Sequence, residues 1–167
     1  HPMKGDVGIL GAYFNDNGIN IRHDDFFFPM AEETKAILKI AHDEAPDMTV
    51  SLHSYELPPS ILQPTYLPFF MKKRVADFAN QLNEHFKNVD LPHMPQGWES
   101  KAEIDDVEFP PRETFNLISA LHHISGTMAF TFECSHGTTN KETKVPIVTY
   151  DDILDIELNL YQKMFNY

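Results

Sequence analysis

Thr127-Met128-Ala129-Phe130-Thr131-Phe132-Glu133 is a dense run of β-formers, nearly all apolar until it ends in an acid. A short apolar run without polar alternation predicts a strand buried on both faces, as in the interior of an α/β sheet. Outward from it, Met48-Thr49-Val50-Ser51-Leu52-His53 alternates and is bounded by Pro46 and by Pro58-Pro59, which predicts a short strand running into a loop. Helical patterns fill the intervals. From Pro29 to Glu44, Ile37, Ile40 and Ala41 recur at helical spacing, Glu32 and Glu33 sit where a helix N-terminus favours acids, and Pro46 closes the pattern. Met71, Val75, Phe78, Ala79, Leu82 and Phe86 keep a 3.6-residue period, with Lys72, Lys73 and Arg74 expected on the solvated face. Residues 113–125 carry Leu117, Ile118, Leu121 and Ile124 at the same spacing, with Gly126 as C-terminal cap. Thr149 and Asp152 resemble a capping box opening a last helix with Ile153, Ile156, Leu160, Tyr161 and Met164 on one face. Residues 5–14 read as a further short strand and loop, and 54–67 as a proline-bearing loop. Residues 88–111, with Pro92, Pro95, Pro110, Pro111 and Trp98, read as a long irregular loop of the kind that covers a site. Helices alternating with short strands give an α/β class with a mixed, mostly parallel sheet flanked by helices.

The bulk properties narrow the function classes. A chain of 167 residues that is 42% hydrophobic and 23% charged has the balance of one globular domain over 1–167. Thirteen Lys and Arg against 25 Asp and Glu leave a net charge of −12, which argues against nucleic acid as a partner. No apolar run reaches the roughly 18–20 residues of a membrane span. One cysteine, Cys134, excludes an intrachain disulfide scaffold and a cysteine zinc finger. The opening His1-Pro2-Met3, without an initiator methionine or an apolar leader, suggests a piece of something longer.

Two chemically competent residues stand out by position. His53 follows one expected strand and Glu133 ends the other, at the rim where ligands bind in α/β sheets. If the strands are parallel neighbours, both side chains face one crevice. The plainer alternative is a hydrogen-bonded core histidine and an ion-paired carboxylate. Other candidates are weaker. His122 and His123, adjacent on an expected helix, point about 100° apart and are poorly placed to share one ion. His136 lies in the Cys134-Ser135-His136-Gly137 turn, Cys134 reads as a small buried residue, and neither a Gly-x-Ser-x-Gly elbow nor a glycine-rich phosphate loop is present.

The segments Gly18-Ile19-Asn20-Ile21-Arg22-His23-Asp24-Asp25-Phe26, Ala31-Glu32-Glu33-Thr34-Lys35-Ala36, Ser51-Leu52-His53-Ser54-Tyr55 and Phe130-Thr131-Phe132-Glu133 together resemble, in order and spacing, the later half of the M14 (carboxypeptidase A-like) zinc carboxypeptidases. The resemblance implies the C-terminal part of a zinc carboxypeptidase-like domain that hydrolyses a peptide or amide bond. Such enzymes hold one Zn2+ with two histidines and a glutamate and leave an open position for water. His53 matches the family's last metal ligand, and Glu133 matches its general base. Arg22-His23 stand where the family grips a substrate carboxylate with Asn-Arg, so Arg22 offers a bidentate fork and His23 a weaker donor. Phe115 lies near the place of the family's substrate-capping tyrosine and lacks the hydroxyl. The family's other two ligands form a His-x-x-Glu motif upstream of the Gly-Ile-Asn segment, where this chain has none, and His42-Asp43-Glu44 has the wrong spacing. One zinc ligand of three is therefore expected here, with the missing N-terminal half of the domain supplying the rest and the piece alone inactive. The competing class is a non-catalytic, peptidase-like ligand-binding module. A periplasmic or secreted location would fit the family.

Overall fold

The computed structural model describes residues 13–24, 26, 30–55, 58–63, 66–97, 99–101, 115–135 and 148–167. Most of the expected 5–14 strand, Trp98, His136 and the stretch 102–111 fall outside that set. The chain runs as a 3-10 turn Ile21–His23, α1 Glu32–Glu44, β1 Met48–Tyr55, β2 Ser60–Leu62, α2 Phe69–Asn88, α3 Leu117–Ser125, β3 Met128–Ser135 and α4 Tyr150–Phe165. The class is α/β, with a small mixed sheet in the order β1-β3-β2, in which β2 runs antiparallel to β3. The chain divides into two compact units, His1–Thr49 with Pro64–Leu67 and Val107–Ala129, and Val50–Gln63 with Pro68–Asp106 and Phe130–Tyr167.

In the first unit α1 packs on α3. Leu38, Ala41, Ile118, Ala120, Leu121 and Ala129 form its buried cluster, with Phe26, Met30, Ile37, Phe115 and Leu117 packed around it. Leu38 takes the inward position that the spacing gave to Ile40, which is 63% exposed. Asp24, itself buried, accepts the Ala31 N–H at 2.8 Å and so satisfies a donor at the start of α1, which has no side-chain cap of its own. Asn116 caps α3 by accepting from Ser119 N. Gly126 ends α3 as expected, at φ 76°, a left-handed conformation that costs glycine least.

In the second unit the aromatic side chains of α2 meet those of β3. Phe78 lies 5.4 Å from Phe130 and Phe86 lies 6.4 Å from Phe132, centroid to centroid, and all four are essentially inaccessible. Burying a side chain of that size is worth roughly 1.5–3 kcal/mol. α4 packs along α2 through its inward face, where Ile156 and Leu160 are fully buried. Its N-terminus is a true capping box, in which Thr149 accepts from Asp152 N and Asp152 accepts from Thr149 N. Lys73 and Arg74 are solvated as expected, but Lys72 is only 9% exposed, a correction to placing it on the outer face. Residue 72 lies between the buried Met71 and Val75, so its stem follows the apolar side of the helix.

Two asparagines on α2 hold the segment that follows it. Asn83 accepts the Met94 N–H at 2.8 Å and donates to Met94 O at 3.4 Å, while Asn80 accepts the Ser100 N–H at 2.7 Å and donates to Ser100 O at 3.2 Å. Each side-chain amide thus stands in for a neighbouring backbone. Beneath the pinned segment lies a pocket lined by Ile61, Leu82, Phe86, Met94 and Phe132 among others, with about 330 Å³ of space that includes open solvent.

Candidate functional site

His53 and Glu133 are each the sixth residue of their strands, and those strands are sheet neighbours. The burial of β3 is two-sided, as the apolar run predicts: Phe130 and Phe132 face α2, while Thr131 is 4% exposed on the alternate side. Glu133 follows Phe132 and therefore points away from the phenylalanine layer. It approaches His53 to 3.7 Å, Oε1 to Nδ1, with the two side chains only 14% and 10% exposed. That separation is too long for a good hydrogen bond. Both side chains are largely withdrawn from water, so any charge the pair carries is screened less than at the surface.

The other imidazole nitrogen is engaged as well. Ser51, two residues earlier and so on the same strand face, places its Oγ 3.0 Å from His53 Nε2. A hydroxyl at that position fixes the ring's orientation, the service that outer partners give to metal-binding histidines. β2 completes the row. Ser60 stands in register with Glu133, on the same face of the sheet. Ser60 falls in the stretch 54–67 whose prolines mark a loop, and three residues so close to prolines are too few to show an alternation.

One His-x-x-Glu spacing does occur, His53-Ser54-Tyr55-Glu56, but it lies downstream of the Gly-Ile-Asn segment and not where the resemblance places the other two ligands. β1 extends through Tyr55. Glu56 lies outside the described residues. Among the described residues, no group of three or more His, Cys, Asp or Glu is gathered to hold a metal ion.

Arg22 and His23 belong to the first unit, on the 3-10 turn. Asn20 Oδ1 accepts from Arg22 N, and the Arg22 guanidinium lies 5.1 Å from the centre of the Tyr13 ring. Arg22 Nε is buried with no hydrogen-bond acceptor, a donor whose satisfaction by an anion would recover free energy. Asp24, at the end of the turn, is buried and accepts from Ala31 N. His23 is exposed on the same turn.

The paired histidines have other employment. His122 donates from Nδ1 to Thr127 O at 2.7 Å, and His123 donates from Nε2 to Tyr66 O at 2.7 Å, since a carbonyl can only accept. Phe115 stacks on His123 at 5.9 Å and meets Phe26 and Tyr66 edge-on, so its ring is part of the first unit's aromatic packing. Cys134 is buried, as its apolar surroundings predict.

No family model, curated protein or solved structure matches this chain. Among the described residues, no helix is long and apolar enough to cross a membrane.

Proposed function

We propose that the chain contributes to a zinc-dependent hydrolytic site acting on a peptide or amide bond, with His53 as a metal ligand and Glu133 as the general base. The juxtaposition of a strand-end imidazole and a strand-end carboxylate, both largely withdrawn from water, carries the reading. Zinc bound at such a site supplies Lewis acidity and a water made acidic enough to be deprotonated near neutral pH. With zinc bound, Glu133 would be placed to take a proton from water and deliver it to the departing amine, a role for which a positioned carboxylate contributes roughly 10²–10⁴-fold. Ser51 orients the His53 ring through Nε2. Within the first unit, Arg22, with its unmatched Nε donor, is a candidate contact for a carboxylate, and His23 a second, as the resemblance implies. The remaining ligands come from outside the described residues.

The test is zinc content by mass spectrometry together with hydrolysis of a blocked dipeptide, measured on this chain and on any longer product of its gene. His53→Ala is expected to lose zinc and activity together. Glu133→Gln is expected to keep zinc while losing roughly 10²-fold or more in kcat. Zinc that persists in His53→Ala, or a full rate in Glu133→Gln, would refute the assignment. A second reading is a peptidase-like binding module with a self-satisfied pair, favoured by the two protein partners that His53 already faces at 3.0 and 3.7 Å. Under it, His53→Ala lowers stability and leaves metal content unchanged.

A further inference from the structure

α4 carries two apolar stripes, and among the described residues only one of them is packed. Ile156 and Leu160 are fully buried against the unit, with Ile153 beside them. On the other side Leu154, Leu158, Tyr161 and Phe165 follow one another at intervals of four, three and four residues, the seam spacing of helices that pack side by side. Leu154 is 57% exposed, Leu158 54% and Phe165 89%, with Tyr150 a turn earlier at 87%. Propensity does not require this: a surface helix needs one apolar face, and a second costs solubility.

The rim of the seam is acidic. Asp151, Asp155 and Glu157 surround Leu154 and Leu158, and the helix's one cation, Lys163, stands two turns farther along. We infer that the outer face of α4 is a docking surface for a basic amphipathic helix of another polypeptide, leucine-like residues filling the seam and Lys or Arg facing the acids. A second copy of the chain fits less well, because its own α4 brings one cation, Lys163, to set against Asp151, Asp155 and Glu157, and each copy carries a net charge of −12. At 16 residues the helix is about 24 Å long, so the contact belongs with the smaller, transient class of interfaces. The docking surface is independent of the hydrolytic proposal.

The probe is a fluorescent helical peptide of about the same length as α4, with leucine at the seam positions and lysine beside them, followed by anisotropy. Binding is expected in the micromolar range, weakening as salt rises. Leu154→Asp with Leu158→Asp should weaken it roughly tenfold or more. This pair of changes is discriminating because it adds negative charge: attraction through charge alone would bind the peptide more tightly. Asp155→Lys with Glu157→Lys should weaken binding and flatten its salt dependence, and a peptide with glutamate in place of lysine should not bind. Ile40→Asp, at an exposed apolar site on α1, should leave binding unchanged. The inference is overturned by failure of the lysine peptide to bind, by equal or tighter binding to the Leu154→Asp/Leu158→Asp variant, or by equal binding of the glutamate peptide. It is also overturned if sedimentation shows the chain dimerising through the seam, with the dimer lost in the double Asp variant. Should the double Asp variant fail to fold by circular dichroism, the Lys variant pair and the two peptides still decide the matter.

Discussion

Asn83→Ala should release the segment after α2 locally, without unfolding the unit. The variant loses the 2.8 Å bond from Met94 N–H and the weaker 3.4 Å contact to Met94 O. A net hydrogen bond contributes about 0.5–1.5 kcal/mol, and a donor stranded away from water costs about 1–3 kcal/mol. Met94 is 8% exposed, so its amide cannot simply turn to solvent, and the cost should be about 2 kcal/mol. At 1.4 kcal/mol per factor of ten, local opening becomes about 30-fold more frequent. Native-state hydrogen exchange at individual amides reads this directly. The Met94 amide should exchange about 30-fold faster, the Ser100 amide less so because Asn80 still holds it, and the Phe132 amide unchanged. Unchanged exchange at Met94 would mean that the asparagine is not what pins the segment. Equal acceleration at Phe132 would mean that the segment and the core open together, and the idea of a local clamp would fail.

Two other expectations concern single groups. Thr34 is fully buried and its hydroxyl has no partner, so Thr34→Val should raise the chemical-denaturation free energy by roughly 1 kcal/mol; a loss of similar size would show that the hydroxyl is satisfied in solution. The carboxyl of Asp152 is held below the usual aspartate value by the backbone and side-chain hydrogen bonds from Thr149. A depressed folded-state pKa adds stability that is present above the unfolded value of about 3.9 and is lost as pH falls through the lower folded value. Thr149→Ala should cost about 1 kcal/mol near neutral pH through the lost cap. Because the residue-149 backbone N–H, the larger cause of the lowered pKa, survives that change, Asp152→Ala is the substitution that should flatten the acid limb of a stability-against-pH curve, and an unaltered limb there would remove Asp152 from that account.

The parts of the fold that were legible in the sequence are those fixed by local chemistry. The Phe-Thr-Phe run, the Thr149–Asp152 box and Gly126 each carry their cause within a few residues, and the structure has them where the pattern puts them. Ile40 and Lys72 were misplaced because a helical period fixes spacing and leaves the stripe's phase open by a residue; tertiary packing chose Leu38 and turned position 72 inward. β2 was hidden because its strand character comes from pairing with β3 and not from its own three residues. At the candidate site, placing His53 and Glu133 at the ends of two strands puts both on one rim if the strands are neighbours, and the two side chains approach to 3.7 Å. Ser51 was invisible, since a serine two residues from a histidine means something only once the segment is extended. The clamps of Asn80 and Asn83 were equally hidden, because their partners lie 20 and 11 residues away along the chain.

β3 gives alternate positions to different tasks: Phe130 and Phe132 to the layer beneath α2, Glu133 to the side where His53 waits. A shift of the strand by one residue would drive the carboxylate into the phenylalanine layer and present a benzyl group to the imidazole. Such a molecule would forfeit its core along with its carboxylate. The strand is thus its own proofreader: a copy with the acid on the wrong side does not survive as a folded protein. A single-residue insertion or deletion within β3 should be purged for loss of folding before it could be tested for loss of chemistry, while changes of two residues keep the alternation intact.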